Sequence, residues 1–256
     1  MRKVQDMEIV THQEIARNIF ELVLRGNLVQ AMLTPGQFVN VKVTNVEAPL
    51  LRRPISICDL NYETNELTIV YRAEGYGTTL LSKLLPGETV DILGPLGTGY
   101  NVDEFSVSDT VLLVGGGIGV PPMFETAKRL AARGNKVISV LGFSHQADVF
   151  YEEKFAQYGD VYIATMDGSH GFKGNVVELI LEKDIQFDMV LGCGLKVMLS
   201  AIENTFGSTK KGYLSFEERM ACGIGACYAC VCQTASGKQA RICKEGPVFQ
   251  LGEVVL

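Results

Sequence analysis

The pattern of apolar and polar positions changes twice along the chain, near residues 100 and 210. In the first part, short runs rich in β-branched residues alternate with turns that contain Pro, Gly and Asn. The clearest of these predicted strands lie at 37–43, 53–59 and 66–72. One stretch with helical spacing interrupts them at 78–85, directly before Pro86 and Gly87. Strands at this spacing predict a small antiparallel β-barrel.

The middle part, from about 108 to 206, alternates short apolar runs with amphipathic segments. The predicted strands lie at 110–116, 136–144, 161–166 and 189–194. The predicted helices lie at 121–134, 149–159, 175–183 and 195–206. Alternation of this kind predicts a doubly wound parallel sheet with helices packed on its faces.

The last part, from about 211, has little periodicity and is rich in Gly and Cys. Such a short segment seldom buries a sufficient apolar core, and it often needs a metal or bridges to hold it. We therefore predict three domains: a β-barrel at 1–100, an α/β nucleotide domain at 101–210 and a small metal-binding domain at 211–256.

Composition and charge narrow the function classes. Apolar residues make up 47% and charged residues 20% of the chain, as in folded globular proteins. The net charge of −6, without clustered Lys or Arg, argues against nucleic-acid binding. The N-terminus lacks the apolar core of a signal peptide, and the most apolar window, 110–124, is too short to span a bilayer. We expect a cytoplasmic protein with no membrane partner.

The strongest chemical signal is a set of four cysteines with the spacing C-x4-C-x2-C-x12-C. They are Cys222, Cys227, Cys230 and Cys243. The first three match the plant-type [2Fe–2S] spacing, and the intervening Gly and Ala residues let a loop turn its N–H groups toward sulfur. Zinc is the main alternative, although only one C-x-x-C pair is present. Disulfides fit a cytoplasmic chain poorly. The nearby Cys232 is interpreted as a small apolar residue.

A glycine-rich turn follows the first predicted strand of the sheet. It comprises Gly115, Gly116, Gly117, Ile118 and Gly119 and precedes a helix, so a phosphate could approach its backbone N–H groups. The G-x-G-x-x-G fingerprint fails because Val120 occupies its last position. A tight strand–helix turn without a ligand remains an open alternative.

Other candidate ligand contacts are weaker when each is taken alone. The loops 167–169 and 192–194 sit at predicted carboxyl ends of strands, where such sheets bind ligands. Cys193 in the second loop has no histidine nearby in sequence, which favours packing or cofactor contact over covalent catalysis. The barrel sequence 53–56 could be a surface turn, and Gly77–Thr78 could be an ordinary helix cap.

These motifs, in this order, resemble the ferredoxin–NADP reductase superfamily over nearly the whole chain. The run SFEERMACGIGACYACVC followed by RICKEGPVF is similar to the ending of electron-transfer subunits of bacterial NAD-dependent (class 1B) dihydroorotate dehydrogenases. The resemblance implies an FAD-binding barrel, an NAD-binding α/β domain and a [2Fe–2S] domain.

The resemblance also implies roles for individual residues. The FAD contacts would be Arg53, Pro54, Ile55, Ser56, Val70, Tyr71, Arg72, Gly77 and Thr78. The nicotinamide side would comprise residues 115–119, Cys193 and Gly194, and the four spaced cysteines would bind the cluster. Leu195 stands where the superfamily often has Pro, which puts the finer nicotinamide contacts in question. The absence of Arg and Lys from 137–150 favours NAD over NADP.

The implied function is electron transfer in pyrimidine biosynthesis. A partner subunit with FMN would oxidise dihydroorotate, and electrons would pass through the [2Fe–2S] cluster and FAD to NAD+. We expect a heterotetramer with two copies of each subunit and assign no general base. One alternative is an NADH-dependent ferredoxin:NADP or sulfide oxidoreductase subunit. Another, from a different class, is a zinc-stapled regulatory module that binds a nucleotide.

Overall fold

The computed structural model describes residues 2–43 and 49–256. Its first part is a closed antiparallel barrel with the strand order β1-β2-β5-β4-β3-β6. The strands are β1 (Lys3–Ala16), β2 (Ile19–Arg25), β3 (Phe38–Lys42), β4 (Arg53–Asn61), β5 (Glu66–Arg72) and β6 (Thr89–Leu96). The predicted barrel is therefore confirmed, although the sequence pattern did not indicate its first two strands.

The barrel contains one α-helix, α1 (Tyr76–Leu81), between β5 and β6. The sequence predicted this helix at 78–85, so it begins earlier and ends earlier than expected. Its end is fixed by tighter turns, because the N–H groups of Lys83 and Leu84 bond to the carbonyls three residues before them.

The second part is a seven-stranded sheet that begins after the barrel. Its first six strands are β7 (Thr110–Gly116), β8 (Lys136–Phe143), β9 (Asp160–Thr165), β10 (Phe172–Lys173), β11 (Met189–Cys193) and β12 (Lys211–Ser215). These six strands are parallel, in the order β10-β9-β8-β7-β11-β12. The predicted doubly wound sheet is confirmed, and its strand order reverses direction between β7 and β11.

Four helices connect the strands of the sheet. They are α2 (Pro121–Arg133), α3 (Glu152–Phe155), α4 (Val176–Glu182) and α5 (Lys196–Phe206). Helix α3 is much shorter than the predicted 149–159. Its start is set by Tyr151, whose backbone has a φ of 67° and whose buried hydroxyl donates to Glu21 in the barrel. A tertiary contact has thus overridden the local helical pattern.

The last part of the chain adds a hairpin and an edge strand. The hairpin pairs β13 (Val231–Gln233) with β14 (Gln239–Arg241), and β15 (Val248–Gln250) lies antiparallel to β12. The sheet therefore runs past residue 210, where we expected the nucleotide domain to end. The division into domains at 1–100, 101–210 and 211–256 stays a prediction. Among the described residues, no helix has the length and apolar composition needed to cross a bilayer.

Charged contacts join the barrel to the sheet domain. Glu21 on β2 is 6% exposed and accepts hydrogen bonds from Tyr151, from Lys154 at 2.6 Å and from Gln13 at 3.0 Å. Burial raises the pKa of Glu21, but the bonds from Lys154 and Tyr151 outweigh it, and the net pKa lies below the ordinary 4.5.

This lowered pKa predicts that Glu21 stabilises the fold above the pKa of an unfolded glutamate. The contribution is lost as the pH falls through the lower folded value. We expect Glu21→Gln to flatten the fall in the free energy of unfolding as the pH is lowered from about 5 to about 3. Urea unfolding of both proteins at these pH values checks this, and equal slopes would contradict the assignment.

Candidate functional site

A cavity opens at the point where the strand order of the sheet reverses. It has a volume of about 420 Å³ and lies between the ends of β7 and β11. Gly116, Gly117 and Ile118 line it from one side, and Gly194 and Leu195 from the other. Ligands of doubly wound sheets bind at this reversal point, beside the positive end of the helix that follows the first strand.

Three of the predicted contact residues lie behind the cavity wall. Gly115 and Cys193 are buried and do not line the cavity, and neither does Gly119. The Cys193 side chain is 1% exposed, and burial raises the pKa of its thiol well above the ordinary range. A buried neutral thiol cannot act as a nucleophile, so Cys193 has a packing role next to the cavity.

Several cavity residues were not predicted from the sequence. They are Ser144, Asp148, Met166, Asn175 and Met198. Ser144 and Met166 directly follow β8 and β9, and Asn175 caps α4 by accepting hydrogen bonds from Val177 and Glu178. Ser144 and Met166 could have been predicted from the sequence, because residues that directly follow parallel strands lie at the ligand-binding edge of the sheet. Met198 reaches the cavity from α5, and only the fold shows this.

The barrel contributes Arg72 to the cavity. Its guanidinium pairs with Glu74 at 3.2 Å and lies near Gly117 of the glycine-rich turn. Val70 and Tyr71, the two residues before it on β5, have side chains that are 2% and 3% exposed. The Tyr71 hydroxyl bonds to His12 at 2.8 Å, so its side chain belongs to the barrel interior. Only Arg72 of these three presents its side chain toward the cavity.

Two residues of the predicted FAD motif, Pro54 and Ser56, lie on the outer face of the barrel. Pro54 and Ser56 stand directly opposite Asn40 and Phe38 in the β3–β4 pair, and opposite residues share one face of a sheet. Phe38 belongs to the apolar core that contains two of the cysteines. Ile55 points the other way, into the barrel. Pro54 and Ser56 therefore share one face with the cysteine loop.

Arg53 of this motif lies against the first turn of α1. A Cβ added at Gly77 would stand 2.5 Å from Nε of Arg53, so the helix approaches the guanidinium closely only because residue 77 is glycine. Thr78 uses its hydroxyl in the same turn, where it accepts from the Gly75 N–H and donates to the Gly75 carbonyl at 3.1 Å. The guanidinium is the group here that suits a phosphate.

The four cysteines form an inner pair and an outer pair. Cys230 and Cys243 are 2% and 1% exposed, and the Cys230 thiol lies beside the Cys243 thiol. Cys222 is half-buried and Cys227 is exposed. The Cys227 thiol lies beside the Cys222 thiol and helps to lower the pKa of Cys222. Cys232 lies apart on β13, where its thiol donates to the Ala240 carbonyl at 3.5 Å.

Backbone N–H groups of the cysteine loop point at two of the sulfurs. Ile224 and Ala226 donate to Cys222 Sγ at 3.4 and 3.3 Å, and Gly225 donates to Cys243 Sγ at 3.1 Å. Burial acts to raise the pKa of Cys222, but N–H donors including Ile224 outweigh it and lower the pKa to about 6. Burial, reinforced by the neighbouring Cys230, raises the pKa of Cys243 to about 12.

This donor set fits a two-iron cluster. Such a cluster takes four thiolates, two at each iron, and N–H donors to sulfur stabilise its negative charge. The pairing of Cys222 with Cys227 and of Cys230 with Cys243 matches the two-iron requirement.

A barrel residue that was not predicted from the sequence, Asn40, holds this loop by a hydrogen bond. Asn40 is 1% exposed, and its Nδ2 donates to the Cys222 carbonyl at 3.3 Å. A Cβ added at Gly223 would stand 2.1 Å from this nitrogen, so the loop can rest on Asn40 only with glycine at 223. No local sequence signal relates residues 40 and 222, because the barrel and loop meet only in the tertiary structure.

The comparisons with known proteins agree with this geometry. The family described as "Oxidoreductase FAD-binding domain" matches residues 4–100. The family described as "Iron-sulfur cluster binding domain of dihydroorotate dehydrogenase B" matches residues 217–255. The predicted FAD-binding and iron–sulfur-binding domains are thereby confirmed.

Two curated relatives match over their full length. The electron transfer subunit of dihydroorotate dehydrogenase B (NAD(+)) from Geobacillus sp. (strain WCH70) is 54% identical over 258 residues, with 100% of each chain covered. The same subunit from Bacillus cereus (strain AH187) is 55% identical over 260 residues, again with 100% of each chain covered. A solved structure of an NADH-dependent reduced ferredoxin-NADP oxidoreductase has a TM-score of 0.86 at 29% identity, covering 97% of this chain and 89% of that one.

Proposed function

Because the chain belongs to the family of electron transfer subunits of dihydroorotate dehydrogenase B, we propose that it connects a catalytic partner subunit to NAD through the two sites described above. It is a subunit of an NAD-dependent flavin and iron–sulfur oxidoreductase of pyrimidine biosynthesis. When bound, FAD exchanges single electrons with the iron–sulfur cluster and a hydride with NAD.

The FAD is proposed to lie along the outer face of β4. Arg53 would pair with a phosphate beside Gly77 and Thr78, and Ser56 would face the flavin from the same surface as the cysteine loop. Ile55, Val70 and Tyr71 have buried side chains, so any contact from them would come from their backbone.

The NAD is proposed to occupy the cavity at the strand reversal. The turn that holds Gly116 and Gly117 would offer its N–H groups to the pyrophosphate, and Gly194 and Leu195 would border the nicotinamide. Asp148 lines the same cavity, and its carboxylate is paired with the Arg17 guanidinium at 2.8 Å. Cys193 would support this wall from behind.

The cluster is proposed to bind to Cys222, Cys227, Cys230 and Cys243. The observation that carries the proposal is the placement of this loop on the barrel face that bears Pro54 and Ser56. The outer pair of cysteines, with exposed Tyr228 and Ile224 beside it, would face the partner. The cluster needs such an exposed side, because electron transfer from the partner subunit requires the two redox groups to approach closely.

Arg53→Ala is expected to weaken FAD binding by about 10-fold to 100-fold, since a charge-assisted bond to phosphate is lost. The flavin content of the purified protein and a titration of the apoprotein with FAD measure this. Arg25→Ala is the matched control, because Arg25 is an exposed barrel arginine that pairs with Glu66 at 2.7 Å. Equal FAD affinities in the two variants would count against the assignment.

The function is tested by mixing the reconstituted chain with an FMN-containing dihydroorotate dehydrogenase subunit from the same source. NADH should form from dihydroorotate only when both subunits are present, and the mass of the complex should correspond to two copies of each. NADH-dependent dye reduction by the chain alone is the control. Dye reduction without NADH formation would move the search to ferredoxin acceptors, to which the similarity with the ferredoxin-NADP oxidoreductase structure points.

A further inference from the structure

Two consecutive peptide groups of the cysteine loop are held at both ends. The Ile224 carbonyl accepts a hydrogen bond from Arg2 Nη1 at 3.2 Å, and the N–H of the same peptide, on Gly225, donates to Cys243 Sγ at 3.1 Å. The Gly225 carbonyl accepts from Arg241 Nη1 at 2.7 Å, and the N–H of that peptide, on Ala226, donates to Cys222 Sγ at 3.3 Å.

This arrangement follows from the geometry of a trans peptide. The C=O and N–H of one planar group point in opposite directions, so a donor that fixes the oxygen also directs the hydrogen. A guanidinium on the oxygen polarises the group and strengthens its N–H as a donor. Each arginine therefore acts on a ligand sulfur through a single peptide.

Arg241 is the more firmly held of the two arginines. It forms a bidentate ion pair with Glu245, through Nε at 3.0 Å and Nη2 at 2.5 Å, and its side chain is 17% exposed. It also lies 4.8 Å from the centre of the Tyr228 ring. Tyr228 itself has a φ of 58°, in the left-handed region that is uncommon for a residue other than glycine.

We propose that Arg241 and Arg2 are positioning residues that set the reduction potential of the bound cluster through the peptides 225–226 and 224–225. Reduction adds negative charge to a cluster, and hydrogen bonds to its sulfurs stabilise the reduced state. Both arginines therefore raise the potential. The inference rests on the proposed function, because it requires a cluster on the four cysteines.

The test compares Arg241→Gln with Arg219→Gln. Arg219 is an exposed arginine in the same segment and makes no hydrogen bond to a loop carbonyl within the described part of the chain, so its substitution removes a charge without touching a peptide. The measurement is the midpoint potential of the cluster in the isolated chain, followed by electron paramagnetic resonance, with iron and sulfide content determined for each protein.

We expect Arg241→Gln to lower the ratio of reduced to oxidised cluster about tenfold at a fixed solution potential, which is about 59 mV for a one-electron couple. Arg219→Gln should change the ratio by less than about threefold, as screened surface charges do. Equal midpoint potentials in the two variants, at wild-type iron content, would overturn the proposal.

Arg2→Gln is a second variant that tests the proposal if the Arg241→Gln protein does not bind iron. It acts on the neighbouring peptide from an exposed side chain, so its potential should also fall below that of Arg219→Gln. If Arg2→Gln matches Arg219→Gln while Arg241→Gln binds no iron, the proposal is rejected. A wild-type chain without iron would refute the proposed function itself, whereas normal coupled activity with unshifted potentials would refute this inference alone.

Discussion

Cys227→Ser is expected to remove the iron–sulfur cluster and to reduce NADH formation from dihydroorotate by more than about 100-fold. Changes around metal ligands already cost 10-fold to 100-fold, and this change removes a ligand itself. Cys227 is the exposed member of the outer pair, so the serine should leave the inner pair and the packing around Cys230 and Cys243 intact. FAD content and NADH-dependent dye reduction should remain close to those of the wild type.

Cys232→Ser is the matched control for this prediction. It makes the same chemical change on β13, close in sequence to Cys230, but its thiol bonds to Ala240 and lies outside the two cysteine pairs. Iron, sulfide and flavin are measured in both variants, together with the visible absorption spectrum. Wild-type iron content in Cys227→Ser, or loss of iron in Cys232→Ser, would show that the ligand set is wrong.

Glu125→Ala is expected to lower the free energy of unfolding by about 3 kcal/mol. Glu125 on α2 is 1% exposed and accepts from Lys128 at 2.8 Å, from Arg129 at 2.7 Å and from the Leu60 N–H of the barrel at 3.2 Å. Alanine leaves this buried N–H without its acceptor and removes one carboxylate partner from each of the two cations, at the contact between the barrel and the sheet domain. Urea unfolding measures the change.

Glu125→Gln separates the hydrogen bond from the charge. Burial raises the pKa of Glu125 despite its two cationic partners, so the charge contributes little net stability. Glutamine keeps an acceptor for the Leu60 N–H, and Lys128 keeps Asp59 as a partner. We expect a loss of at most about 1 kcal/mol. A loss as large as that of the alanine variant would show that the ion pairs dominate.

Much of the fold follows from local patterns. The strand at 110–116 and the helix beginning at 121 lie where the sequence predicted them, because a continuous apolar run bounded by glycine has few alternatives. The first two barrel strands were missed because their apolar positions alternate irregularly around bulges. Helix α3 was overestimated because Tyr151 is used for a contact with Glu21.

The candidate site divides in the same way. The cysteine spacing and the glycine-rich turn are local, because a cluster loop and a strand–helix turn each lie within one short segment. The residues of both motifs could therefore be named from the sequence, although their roles stay proposals. Cys193 directly precedes Gly194, which lines the cavity, but only the fold shows that its thiol lies behind the wall.

The sequence by itself predicted a barrel, a doubly wound sheet and a cysteine-rich ending, because these follow from local patterns and short spacing. The residues assigned to FAD and to the nucleotide came from the family resemblance, and their roles stay predictions. The tertiary structure alone decided that the cysteines form an inner and an outer pair. It also decided that Asn40 binds the cysteine loop to the barrel face that bears Ser56, by donating to the Cys222 carbonyl. It likewise decided that Arg2 donates to the Ile224 carbonyl of the same loop. These contacts join residues about 200 positions apart, and no local propensity encodes a contact that exists only after the barrel and the sheet have packed together.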